Sequence, residues 1–112
     1  MNVRFGTGGW RAVIGDGFTR QNVELLAAAL ALAALEEPAG ERGVAVGYAR
    51  RFLSKEAAYW AAQVLAGAGV PCLLIDREAP TPLVMFAVDS LHLPYGMAVT
   101  ASHNPAVYNG VK

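Results

Sequence analysis

The chain has 112 residues, 54% of them apolar and 16% charged, a balance that suits one globular domain with its own core and excludes a disordered segment. Nine basic side chains offset nine acidic ones for a net charge of zero, so neither nucleic acid nor an anionic membrane is implied as a partner and any anion affinity must be local. One cysteine, Cys72, allows no disulfide framework within the chain; Met1-Asn2-Val3-Arg4 lacks a signal-peptide core and the apolar run Leu25 to Leu35 is too short to span a bilayer, which together predict a cytoplasmic protein.

In chain order, Phe5-Gly6-Thr7-Gly8-Gly9-Trp10-Arg11 comes first, with three glycines in four residues. Such a segment can turn backbone N–H groups toward a phosphate, and Arg11 adds a fixed positive charge. It is neither a dinucleotide fingerprint, because the third glycine is missing, nor a Walker loop, because no Gly-Lys-Ser/Thr follows. The other reading is a glycine-rich turn entering a hairpin of Ala12-Val13-Ile14 and Gly15-Asp16-Gly17.

Thr19 reads as the N-cap of a helix that includes Val23, Leu26, Leu30 and Leu35, is apolar almost all round and is therefore expected to be largely buried, with Pro38 and Gly40 ending it. Val44-Ala45-Val46-Gly47-Tyr48 follows as a buried strand. Ser54 is expected to cap a second helix running through Ala66, with Gly67 and Gly69 as its stop. Val70 to Ile75 is a second strand of the buried kind, in which Cys72 reads as an inert thiol.

At Thr81-Pro82 a third helix begins, the hydroxyl accepting from an orphan N–H and the proline preset for the first helical position. Leu83, Ala87 and Leu91 share one face and Val84 and Val88 the next. His92 is a helix-end or surface histidine, and Tyr95 to Thr100 is the strand that delivers Ser102. Short strands alternating with helices predict an α/β fold, a three-layer α/β/α arrangement on a mainly parallel, mixed sheet in one domain spanning 1–112. Trp10, Trp60, Tyr48, Tyr59 and Tyr95 read as core or interface aromatics, and Arg50-Arg51 as a solvated loop edge unless a substrate phosphate engages it.

The chemistry concentrates at Thr100-Ala101-Ser102-His103-Asn104-Pro105 and Tyr108-Asn109-Gly110-Val111-Lys112. A loop that leaves the carboxyl end of a strand is where open α/β sheets bind ligands. Ser102 and His103 are adjacent, so their side chains diverge in an extended loop, and no Gly-x-Ser-x-Gly elbow is present; a serine hydrolase is the weaker reading. Phosphoryl transfer asks instead for an exposed oxygen to carry the group and cationic donors around it, which Arg11, His103 and Lys112 can supply.

These two segments together with Phe5 to Arg11 resemble the α-D-phosphohexomutase family of phosphoglucomutases and phosphomannomutases. The similarity extends through Val46-Gly47-Tyr48, Arg51-Phe52-Leu53-Ser54 and Ala79-Pro80-Thr81-Pro82, and so over essentially the whole chain. It implies the first domain of a phosphohexomutase, truncated at its C-terminal end, whose full-length enzyme interconverts hexose 1-phosphate and hexose 6-phosphate through a phosphoserine and a bisphosphorylated sugar. Ser102 is then the phosphoryl carrier. Lys112 takes part in proton transfer, and Arg11, always protonated, stabilises charge. His103 orients substrate or phosphate, while Thr7, Gly8, Gly9, Asn104 and Arg51 bind phosphate or substrate. Asn104 and Pro105 also hold the loop's shape.

The resemblance further implies Mg2+, held by the Ser102 phosphate and by three aspartates of a second domain that this chain lacks. Partners implied are a hexose phosphate and the remaining domains of the same polypeptide. One departure is Ala49, where the family often has aspartate, which is expected to leave Arg51 less firmly fixed. The 112-residue chain is expected to be inactive alone and to self-associate through Val107, Tyr108 and Val111. The alternatives are a non-catalytic anion-binding or self-associating α/β module, and the serine hydrolase.

Overall fold

Buried β-branched runs separated by alanine-rich helices leave one economical arrangement, a sheet covered on both faces. A computed structural model describes it for residues 9–101, 104 and 106–111. β1 (Trp10–Val13) turns into α1 (Arg20–Glu36); β2 (Val44–Tyr48), α2 (Ser54–Gly67), β3 (Cys72–Glu78), α3 (Thr81–Ser90), β4 (Tyr95–Val99) and β5 (Tyr108–Val111) follow. The sheet order is β1-β5-β4-β2-β3. β2 pairs in parallel with β3 and with β4, whereas β5 runs antiparallel to β4 and to β1. The sheet is therefore mixed, and its parallel character is confined to the β3-β2-β4 half. β4 and β5 are joined by a loop without a crossover helix, and a short return of that kind reverses direction.

Alternation along β2 assigns its two faces. Val44, Val46 and Tyr48, with Met97 and Val99 of β4, join the core shared with Val23, Ala27 and Ala31 of α1 and Ala57, Ala61 and Leu65 of α2. On the opposite face Ala45 and Ala98 meet Val84 of α3, with Ala87 and Val88 packed alongside. That second face is built from small residues for a reason. A Cβ placed on Gly47 would lie 2.5 Å from Val84 Cγ2, and one on Gly96 would lie 2.5 Å from Val88 Cγ2. Glycine at both positions lets α3 rest almost on the strand backbone.

Several local expectations are corrected by this packing. α1 is not buried all round: its contact stripe is Val23, Ala27, Ala31 and Ala34, and Leu32 is 66% exposed with Leu25 and Leu35 also outward. Alanines allow the close approach of α1 to α2, which turns the larger leucines away. β3 is an edge strand paired only with β2, and Leu73 is exposed rather than buried. The turn at Gly15–Gly17 is present, but β1 finds its partner in β5 and the chain enters α1, so there is no hairpin.

Helix starts divide in the same way. Thr19 Oγ1 accepts from the Asn22 N–H at 3.3 Å, the expected cap. Ser54 and Thr81 do not cap: the N-cap positions are Leu53 and Pro80, and neither makes a side-chain cap hydrogen bond. α3 buries Val84, while Leu83 and Leu91, assigned to one shared face, are both exposed. Among the described residues no helix is long and apolar enough to cross a membrane.

Candidate functional site

Parallel strands β2 and β4 are neighbours in full register, Val44 opposite Tyr95 and Tyr48 opposite Val99, so the loops that follow them leave the same end of the sheet. α2 covers one face after β2 and α3 the other after β3, which makes β2 the point where the winding reverses. Ligands of open α/β sheets bind at such a point. Two loops meet there, 49–53 after β2 and 100–107 after β4.

The register brings Trp10 and Arg11, which end the glycine-rich opening, to the same place. Trp10 pairs with Val111, which itself pairs with Val99, and Arg11 pairs with Gly110. The Gly110 carbonyl accepts the Thr100 N–H at 2.9 Å. Arg11, Gly110 and Thr100 thus form one row across three chain segments at the carboxyl end of β4. Gly110 is what allows β1 into that row, since a Cβ there would lie 2.0 Å from the Trp10 carbonyl oxygen and 2.9 Å from Arg11 Cγ.

The described residues on either side of Ser102 are tied down. The Asn104 N–H donates to the Ala101 carbonyl at 3.0 Å, closing a turn between those two residues. Arg51 supplies the second tie: Nη1 donates to the Tyr108 carbonyl at 2.9 Å and Nη2 to the Asn104 carbonyl at 2.6 Å. Asn109, wholly buried, supplies a third, its Nδ2 donating to the Phe52 carbonyl at 3.0 Å and to Ser54 Oγ at 2.8 Å, while its Oδ1 accepts the Gly110 N–H at 2.9 Å. Both amide protons of Asn109 are spent on joining the two loops.

Of the residues singled out from sequence, Gly9, Arg11, Arg51 and Asn104 can be placed, and the sheet brings all four to this end or to the strand leading from it. Ser102, His103, Pro105, Lys112, Thr7 and Gly8 lie outside the described residues. Arg51 departs from its expected setting. It is half-buried rather than a solvated edge, and main-chain carbonyls accept from its guanidinium. Arg50 is the exposed member of the pair and makes an ion pair with Glu78, whose hydrogen bond raises the guanidinium further above its ordinary value. The sequence presents Asn109 only as a motif residue and Ser54 only as a cap, so their link is a finding of the structure. A polar residue between the apolar neighbours of a short strand is the available signal for the first; nothing local marks the second.

A cleft of about 540 Å³ lined by Ala49, Arg51, Phe52, Thr100, Asn104 and Ala106 opens beside the loop. Phe52 stands at its rim, 72% exposed. A neighbouring cleft of about 570 Å³ shares Ala49, Arg51 and Phe52 and is lined further by Lys55, Glu56, Arg77 and Glu78. The larger groove, about 630 Å³, runs along α3 past Met85, Asp89 and His92 and is remote from this chemistry. His92, exposed and with φ of 54°, is the helix-end residue expected. Cys72 is half-buried, and that burial pushes its thiol up, away from the reactive thiolate.

Comparison with known proteins adds an independent line. Residues 2–112 match the family profile described as phosphoglucomutase/phosphomannomutase, alpha/beta/alpha domain I. The chain is 39% identical over 112 residues to the phosphoglucomutase of Staphylococcus saprophyticus, covering 98% of this chain and 20% of that protein. It is 40% identical over 116 residues to the phosphoribomutase of Saccharomyces cerevisiae, covering 98% and 19%. A solved structure from Thermus thermophilus, assigned as a phosphomannomutase, superposes with a TM-score of 0.93 at 42% identity over 100% of this chain and 25% of that one. A phosphoglucomutase/phosphomannomutase family protein from Burkholderia thailandensis gives a TM-score of 0.78 at 27% identity, covering 92% and 24%. The chain spans about a fifth of the length of the curated relatives it matches.

Proposed function

Since the chain belongs to the phosphoglucomutase/phosphomannomutase family, in its first α/β/α domain, we propose that it is the phosphoryl-carrying part of an enzyme that interconverts hexose 1-phosphate and hexose 6-phosphate. The observation that supports this reading is the row Arg11, Gly110, Thr100, which places the last residue of the glycine-rich stretch beside the residue that opens the β4–β5 loop. Neither segment is sufficient by itself. A serine loop without cations cannot stabilise a transferring phosphoryl group, and an arginine at a strand edge has nothing to act on.

In this reading Ser102 carries the phosphoryl group on Oγ. The P–Oγ bond breaks as a P–O bond forms to the free hydroxyl of the bound sugar phosphate, and the hydroxyl proton passes to a nearby base, for which Lys112 is the candidate. The bisphosphorylated sugar reorients, Ser102 Oγ takes the other phosphoryl group, and the proton returns to the sugar oxygen. Arg11 stabilises the equatorial charge without titrating. His103 and Asn104 orient the groups around Oγ, and Thr7, Gly8 and Gly9 present backbone N–H groups to phosphate.

The implied Mg2+ would meet the oxygens of the Ser102 phosphate. It demands near-octahedral oxygen ligation, and among the described residues no group of three or more His, Cys, Asp or Glu side chains is placed to hold a metal ion. The described residues do not make a magnesium site by themselves. We assign the other ligands, and the closure of the cleft over the sugar, to further domains of the same polypeptide. A cytoplasmic setting suits an enzyme whose substrates are phosphorylated sugars.

The test is Ser102→Ala in the full-length protein. The wild-type protein is expected to turn over glucose 1-phosphate or mannose 1-phosphate and to carry a phosphate on the Ser102 peptide by mass spectrometry, and the variant to lose both. Retained turnover in the alanine variant would sink the assignment. Because one relative is named a phosphoribomutase, ribose 1-phosphate belongs in the same assay, and a preference for it would move the substrate from hexose to pentose phosphates while keeping the mechanism.

A further inference from the structure

The resemblance assigns Arg51 to phosphate, yet its guanidinium is engaged by the protein's own backbone. Nη1 and Nη2 reach the Tyr108 and Asn104 carbonyls at 2.9 and 2.6 Å, on the two arms of the loop that holds Ser102. Arg51 itself sits in a tight turn: its N–H donates to the Ala49 carbonyl at 2.9 Å and its carbonyl accepts the Ser54 N–H at 3.1 Å. The turn then passes through Leu53 at φ 66°, a left-handed conformation that a non-glycine residue keeps only when its surroundings hold it. Asn109 latches the same two loops a second time through the Phe52 carbonyl and Ser54 Oγ.

We infer that Arg51 is a positioning residue, bridging the Asn104 and Tyr108 carbonyls so that the β2–α2 loop sets where Ser102 presents its phosphoryl group. This rests on the mutase reading above. A planar guanidinium suits the task because its donors diverge in a fixed fork that can span two carbonyls on separate segments, whereas a lysine ammonium is a point charge on a flexible stem. Bonds from a charged donor are shorter and stronger than neutral ones, so the fork can hold the loop's two arms at a set separation. The same geometry explains how Arg51 stays fixed with alanine at position 49: it donates to main-chain carbonyls, which no substitution removes.

The consequence is kinetic. In-line phosphoryl transfer depends on the placement of the reacting atoms, and a misplacement of about 1 Å costs on the order of 100-fold in rate. In the full-length enzyme, Arg51→Ala is therefore expected to lower kcat about 100-fold while KM for the sugar phosphate stays within about threefold. Guanidinium ion at millimolar concentration, filling the vacated site, is expected to return part of that loss. Arg51→Lys, which keeps the charge but not the fork, is expected to remain as slow as the alanine variant. If Arg51→Ala does not fold, Arg51→Lys carries the test by the same kcat and KM measurement.

Wild-type turnover in Arg51→Lys, an unchanged kcat in Arg51→Ala, or a KM raised more than about tenfold at constant kcat would each overturn the positioning role. The last of these would return Arg51 to substrate-phosphate binding. A wild-type enzyme that neither turns over a sugar phosphate nor carries phosphate on Ser102 would overturn the mutase reading itself, so the two failures separate.

Discussion

Asn109 shows how one buried amide holds the site together. Its Nδ2 serves Phe52 and Ser54 of the β2–α2 loop, and its Oδ1 takes the N–H of the next residue. Truncating it leaves a carbonyl and a hydroxyl without their donor inside the protein, and an unsatisfied buried group costs about 1–3 kcal/mol. Asn109→Ala is therefore expected to destabilise the fold by about 2 kcal/mol, read as a lower denaturation midpoint. Ser54→Ala removes only one acceptor and is expected to cost less. An Asn109→Ala midpoint equal to wild type would remove the amide from its structural role. Gly110, beside it, answers a different demand: its missing Cβ is the space through which the Trp10 carbonyl passes.

At the level of elements, α3 decides how the sheet is covered on its second face. Val84 sits over Gly47 and Val88 over Gly96, each with a methyl where a Cβ would otherwise stand. Valine has one strongly preferred rotamer in a helix, so these methyls cannot swing clear. Gly47→Ala is expected to push α3 outward at a cost of about 1–3 kcal/mol, as overpacked cores do. Val84→Ala alone creates a void, but placed in the Gly47→Ala background it removes the clash. The double variant should therefore be more stable than the sum of the two single losses, by at least about 0.5 kcal/mol in a double-mutant cycle. Additive losses would show that α3 does not press on Gly47. α3 thus covers β2 and β4 on the face opposite α1 and α2.

For the molecule as a whole, the described surface leaves Leu83, Met85 and Phe86 outward on α3 with Leu91 just past its end, and Leu25, Leu32 and Leu35 outward on α1. Of the side chains expected to drive self-association, Val107 is exposed, Tyr108 is half-buried, and Val111, at 3% exposure, is inside the core and takes no part. A 112-residue preparation is expected to self-associate as its concentration rises, since burying a few hundred Å² of apolar surface at about 25 cal/mol per Å² offsets part of the association cost. It is also expected to show no turnover of a hexose 1-phosphate, since the chain spans about a fifth of the length of the mutases it matches. Sedimentation equilibrium reporting a strict monomer at all accessible concentrations would refute the first expectation, and measurable turnover the second.

Local pattern alone was enough to determine the α/β class, the order of the main helices and strands, the Thr19 cap and the motif that points to phosphoryl chemistry. These depend on neighbours within a turn or a strand, where apolar periodicity, a hydroxyl before a helix and glycine spacing act directly. The tertiary structure decided what depends on distant partners. β5 reverses the sheet's direction and accepts β1, which no residue of β1 announces. β3 lies at an edge and α1 turns its leucines outward, because burial is set by what packs against an element and not by its own composition. Ser54 becomes an acceptor for Asn109, 55 positions away in sequence, instead of a cap. Arg51 becomes a clamp on two carbonyls instead of a solvated charge, since a main-chain acceptor carries no sequence signature and exists as a site only once the two loops have met.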